Sequence, residues 1–216
     1  MQELVSMKKY PNPEIQSPDG TSSIFFCQTR ESLLDSEIYL RLLRSAAHAF
    51  RRSAFYKDYK SDIMNKGICM DQRRPAITSE VADIELHHNF LTLEFMTIMM
   101  AEYLLNTIGY VNSFMLIQML EEEHRANHIC GIMLSTTEHQ AHHNNPADFI
   151  SIKQCFGSPF EFIEKYISGM TLDISFKLLL HLKQEEQYGG SFDANMIRCR
   201  DEILSWQQWN NGNILY

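Results

Sequence analysis

The chain predicts a mostly helical α+β fold, and three observations carry that reading. Apolar residues recur at helical spacing over most of the 216 positions. Few short apolar runs read as strands, chiefly residues 82–87 and 130–134. Each strand runs into a histidine cluster. Ile84-Glu85-Leu86-His87-His88-Asn89 closes the first, and MLSTTEHQAHHN, from Met133 to Asn144, carries the second. Five of the nine histidines lie in these two stretches, about 50 residues apart, so the functional reading depends on whether the fold brings them together.

The elements follow in order. Residues 1–21 hold three of the six prolines and Asp19-Gly20, which marks an arm or loop. Residues 22–27 (SSIFFC) read as a short strand or anchor. Thr29 and Ser32 offer helix-start chemistry. Leu33, Leu34, Ile38, Leu42, Leu43, Ala46, Ala47 and Phe50 then keep helical spacing to about residue 59. Gly67 and Arg73-Arg74-Pro75 punctuate a turn before the first strand. Two helices are expected between the strands. One spans 92–107 and ends at Gly109; the other spans 114–125 and is capped by Asn112 or Ser113. On the second, Phe114, Ile117, Met119 and Leu120 are expected to pack. Glu121-Glu122-Glu123 is expected to face water, with His124 and His128 at the surface or, as the alternative, lining the cleft beside Asn127. Thr136 or Thr137 caps the histidine helix. Three more helices are expected at 159–167, at 172–187 and from Asp193 to about 209. The reading divides the chain into 1–75, an arm and basic helical region; 76–150, the strand–helix core with its insertion; and 151–216, a C-terminal helical region.

Composition limits the class. A hydrophobic fraction of 44% with 21% charged residues fits one globular core with helical additions. Five scattered cysteines without a CxxC pair argue against a disulfide framework or a cysteine zinc ribbon. The first residues lack the apolar stretch of a signal peptide, and the most apolar run, 91–105, carries Glu94 and Glu102. The expectation is a soluble cytoplasmic protein, in the host cytoplasm if the chain is phage-encoded, or one associated with the virion. Net charge is −8, the wrong sign for a simple nucleic-acid binder. Its distribution is uneven: residues 30–74 carry ten Lys/Arg against six Asp/Glu, whereas 75–216 carry seven against eighteen. Basic residues solvating a helix explain the first segment simply. The functional alternative is that Arg41, Arg44, Arg51, Arg52, Arg73 and Arg74 face a polyanion.

His139 and His143 are four apart and share one helix face. A strand-end histidine brought against that face gathers three imidazoles, an environment suited to Zn²⁺, Ni²⁺ or a similar divalent ion. His142 competes with His143 for the same face. On a strand, successive side chains point to opposite faces, so His87 and His88 can take different tasks. Glu85 and Glu138, beside these histidines in sequence, read as solvated.

The order of these features, IELHHNFLTL and then LSTTEHQAHHN, resembles the HNH (His-Me finger, ββα-metal) nucleases, phage-type HNH proteins in particular. The His-His plus His-x-x-x-His arrangement is also similar to the colicin DNases. The likeness covers about residues 80–145 and reaches toward Cys155-Phe156-Gly157; a helical insertion between the two strands departs from the simple family pattern. The resemblance implies a ββα-metal core with one divalent metal (Zn, Mg, Mn or Ni) held by His87, His139 and His143. It implies His88 as general base and Asn127 as the residue orienting it, although a colicin-like offset would fall near Cys130. It further implies DNA as substrate. On the charge distribution Arg51, Arg52, Arg73 and Arg74 are the candidates for the phosphates, and the helical regions are the expected contact for a second copy or a phage protein.

Two other classes stay open. The same element can be a structural metal knot in a virion-associated or interaction protein, its fourth position closed by His88 or His142. It can also be a degenerate nuclease fold that binds nucleic acid without turnover.

Overall fold

The computed structural model describes residues 27–65, 83–144, 149–190 and 192–213. The segment expected at 22–27 (all but Cys27), Gly67, Arg73 and Arg74 lie outside the described residues. So do the side chains of His143 and Asn144.

After a two-residue strand β1 (Gln28–Thr29) comes helix α1 (Ser36–Arg52). Its start is set by Asp35, not by Thr29 or Ser32: the Asp35 carboxylate accepts from the backbone N–H of Glu37 at 2.8 Å. Leu43, Ala46 and Phe50 form its buried stripe. The helix expected to continue to about 59 instead breaks at Ser53. There the backbone is extended and Ser53 Oγ accepts from Tyr56 N at 3.1 Å, starting α2 (Ala54–Asn65) on a new axis. A serine offering its own hydroxyl to the backbone is a helix start as readily as a helix interior.

Strand β2 (Ile84–His88) leads into α3 (Leu93–Thr107), a short β3 (Tyr110–Val111) that pairs with β1, and α4 (Ser113–Arg125). Thr92 and Asn112 cap the two helices through their side-chain oxygens, and Phe114 on α4 is exposed where packing was expected. Helix α4 ends in a 6→1 and 5→2 pair of bonds, His128 N to Glu123 O (3.0 Å) and Asn127 N to His124 O (3.1 Å), with Asn127 at φ +58°. This is the Schellman closure, and asparagine is the side chain that best tolerates it after glycine. Strand β4 (Gly131–Ser135) then lies antiparallel to β2, pairing His88 with Gly131, His87 with Ile132, and Ile84 with Ser135. Helix α5 (Thr136–Asn144) follows without a gap, started by Ser135, whose hydroxyl accepts from Glu138 N at 3.2 Å.

The chain returns to the ribbon at Phe156, which exchanges both backbone bonds with Gly131. Gly157 follows at φ +85°, where a Cβ would stand 2.2 Å from the Ile129 carbonyl oxygen; no other residue fits that turn. Helices α6 (Pro159–Tyr166), α7 (Leu172–Tyr188) and α8 (Ala194–Asn213) complete the chain.

The described residues are thus mostly helical, with two small antiparallel strand pairs. One continuous core takes Phe50 from α1, Met96 and Met100 from α3, Leu116 and Leu120 from α4, Phe162 from α6, Leu178 from α7 and Ile203 from α8. Two buried carboxylates tie the helices across it. Glu185 accepts from Ser151 Oγ at 2.8 Å and from Ile152 N. Glu123 is 1% exposed, not in water as expected. It accepts from Tyr166 Oη (2.8 Å), from His128 Nδ1 (2.7 Å) and from Lys165 Nζ. Burial pushes the Glu123 carboxyl up, but Lys165, His128 and Tyr166 outweigh it, so its pKa lies below the ordinary value and the charge persists. Replacing Glu123 by Ala should cost about 2–3 kcal/mol in urea unfolding, because three donors lose one acceptor. Glu123→Gln, keeping an oxygen, should cost less.

Candidate functional site: the histidine ribbon

The β2–β4 register sorts the side chains of the ribbon onto two faces. Glu85 and His87 share one face with Ile132 and Leu134; Ile84, Leu86 and His88 share the other with Met133. The first face meets α5. The second meets α2 and the side chains of Tyr56, Tyr59 and Ile63. His87 and His88, neighbours in sequence, therefore enter different environments.

On the α5 face, His87 is flanked by His139 and His142, with ring centroids 5.0 and 4.9 Å away. His139 Nδ1 donates to Glu85 Oε2 at 2.5 Å. A neutral imidazole donating through Nδ1 keeps its lone pair on Nε2, the atom a metal or a proton would take. Glu85 is thus a partner of His139, not the purely solvated residue expected, and Glu138 is buried at 9% exposure. Among the described residues, no group of three or more His, Cys, Asp or Glu is gathered closely enough to hold a metal ion. His142 is the α5 residue found beside His87 along with His139.

On the other face, His88 Nε2 lies 2.9 Å from His124 Nε2. His124 Nδ1 is 2.7 Å from the Leu120 carbonyl, which can only accept, so Nδ1 carries a proton. Neutral His124 then accepts at Nε2, and His88 donates its Nε2–H, leaving the His88 lone pair on Nδ1. Phe50, Tyr56 and Tyr59 enclose the pair, with ring centroids 4.7, 6.1 and 5.3 Å from His124. Burial lowers both pKa values, that of His124 to about 4 and that of His88 well below the ordinary imidazole range; for His88 the neighbouring His124 and Arg51 lower it further.

His124 is fully buried, contrary to the surface placement expected of it. Nothing in the sequence of α4 distinguishes it from its exposed neighbours except helical phase, since it falls four residues after buried Leu120. Asn127 does not reach His88; its Oδ1 accepts from Tyr59 Oη at 3.4 Å, and its backbone closes α4. After His88 the chain turns through Phe90 at φ +42°, held there by burial of its ring. Asn89 anchors the turn, donating to the Ile150 carbonyl at 2.8 Å.

These features define a mostly helical protein built around a two-stranded histidine ribbon. A sequence profile of the bacteriophage G278-like virion protein family matches residues 7–208, and the chain belongs to that family. No curated protein and no solved structure matches it. No helix among the described residues is long and apolar enough to cross a membrane.

A histidine whose folded pKa is depressed binds fewer protons than in the unfolded chain. Its stabilising contribution is complete above about pH 6.5 and is lost as the pH falls toward about 4. Urea midpoints should therefore drop between pH 7 and pH 4, by a free energy on the order of 2–3 kcal/mol from His124 alone. His124→Met should remove its own share of that drop and leave the share of His88, whose burial persists; the loss below about 4.5, from Glu123 and Glu185, should remain.

Proposed function

We propose that this virion-family chain is a divalent-metal-dependent phosphodiester hydrolase of the His-Me finger type acting on DNA. The observation that carries the reading is the Glu85–His139 pair set against His87 on one face of a strand–strand–helix unit. A carboxylate on the far nitrogen of an imidazole is the usual support of a histidine ligand. Imidazole donors suit a borderline ion such as Zn²⁺ or Ni²⁺, and with open positions would also serve Mg²⁺ or Mn²⁺, once drawn closer together than the described side chains stand. His87 and His139 would hold it with His143, as the family resemblance implies, or with His142, which stands beside His87. Once bound, the metal supplies charge neutralisation on the phosphate and its leaving oxygen.

In this reading the protein's own groups do the proton chemistry. His88, kept neutral by its surroundings, is in the form that accepts a proton, and its basic atom is Nδ1 because His124 takes the Nε2–H. His124 positions His88 through that hydrogen bond.

A second reading is favoured by two observations. His142 lies as close to His87 as His139 does, and His88 is only 7% exposed. A fourth imidazole closing the coordination would make the unit a structural metal knot in the virion.

Plasmid cleavage with Mg²⁺, Mn²⁺, Zn²⁺ or Ni²⁺ separates the two. The hydrolase reading expects nicked or linear product, lost by on the order of a hundredfold or more in His88→Ala and in His87→Ala. Intact plasmid under every metal, combined with a metal-dependent rise in thermal midpoint that His87→Ala abolishes, would leave only the knot.

A further inference from the structure

Helix α1 carries an unbalanced charge on the face opposite its core stripe. At 100° per residue, Arg41, Arg44, His48, Arg51 and Arg52 fall within about a third of the circumference, away from Leu43, Ala46 and Phe50. All five are exposed. Among the described residues, none of the four arginines has an ion-pair partner. Arg51 and Arg52 in the last turn offset the helix dipole, but Arg41 and Arg44 sit mid-helix, where that reason does not apply. Glu37, in the first turn, is the only acid on this face.

We propose that this face of α1 is a phosphate-backbone track for nucleic acid, running toward the histidine ribbon. The stripe extends over about 16 Å, enough to follow several phosphates of one strand. Every α1 cation besides His48 is arginine, whose planar fork suits phosphate oxygens better than a lysine ammonium does. The track also has a direction. Phe50, beside Arg51 in the last turn of α1, packs on His124 with ring centroids 4.7 Å apart, and His124 meets His88, so the C-terminal end of the track lies at the ribbon. Residues 75–216 are acidic and would repel a polyanion, which favours docking on this face. Delivery to the ribbon rests on the hydrolase reading; docking does not.

The test uses the full chain and a short fluorescein-labelled DNA duplex, with EDTA present, so that binding is read without cleavage. Anisotropy titrations between about 50 and 200 mM salt give the slope of affinity against salt. Arg41→Gln, Arg44→Gln, Arg51→Gln and Arg52→Gln combined should weaken binding on the order of tenfold or more and reduce the slope by about 3–4. The thermal midpoint should hold, since glutamine is an equally good helix former on an exposed face. The corresponding four-lysine variant should keep most of the slope. Binding that the glutamine variant leaves unchanged overturns the track. Wild-type protein that ignores DNA, but self-associates in a manner the variant abolishes, assigns the stripe to the acidic body of another copy and overturns it equally. Arginine-dependent binding without plasmid cleavage under any metal upholds the track and sinks the hydrolase reading alone.

Discussion

The pairing of β2 with β4 is the constraint on which the rest depends. Backbone bonds across five residue pairs fix which side chains share a face, and a slip of one residue would exchange the two sets. With the observed register, His87 meets α5 and Glu85 stays beside it, while His88 is delivered to the apolar side and finds His124. Two adjacent imidazoles thereby acquire unlike chemistry from geometry alone. One stands buried among other histidines, on the face that carries Glu85. The other sits in an aromatic box that keeps it neutral.

The helical insertion, which looked in the sequence like an appendage to the ribbon, is what builds the second of these environments. Helix α4 contributes His124, and its Schellman turn at Asn127 sends the chain back as β4. Helix α1 contributes Phe50 beneath His124, and α2 brings Tyr56 and Tyr59 over it. Glu123, one residue before His124, is gripped by Lys165 and Tyr166 of α6, which holds α4 in the rotation that turns His124 inward. The buried carboxylate and the histidine pair are therefore parts of one assembly.

Much of this was legible in the sequence. Both ribbon strands, the two inserted helices and the three C-terminal helices fall close to where periodicity and capping residues put them, because those signals are local. The separation of His87 from His88 followed from strand alternation. What could not be read were pairings that depend on tertiary rotation. Glu123 belongs to a run of three glutamates that composition makes look like a wet face, and only Lys165 and Tyr166, some forty residues on, reverse that. His124 was hidden for the same reason. The break at Ser53 was missed because apolar spacing continues through it, while the hydroxyl that restarts the helix leaves no mark on the pattern. Asn127 was singled out through its likeness to a motif; that it also closes α4 in the left-handed conformation does not show in that likeness.

The distance in sequence between the two halves of the ribbon has a kinetic consequence. His88 and Gly131 are neighbours in the sheet, yet the α3–α4 hairpin lies between them. Closing so long a loop before its contents are ordered is entropically unrewarded, whereas a collapsed helical hairpin brings the ends together at little extra cost. The two histidine environments would then mature last during folding, assembled by a scaffold that has already formed. Reactive side chains in a nascent chain would stay scattered until the protein around them is complete.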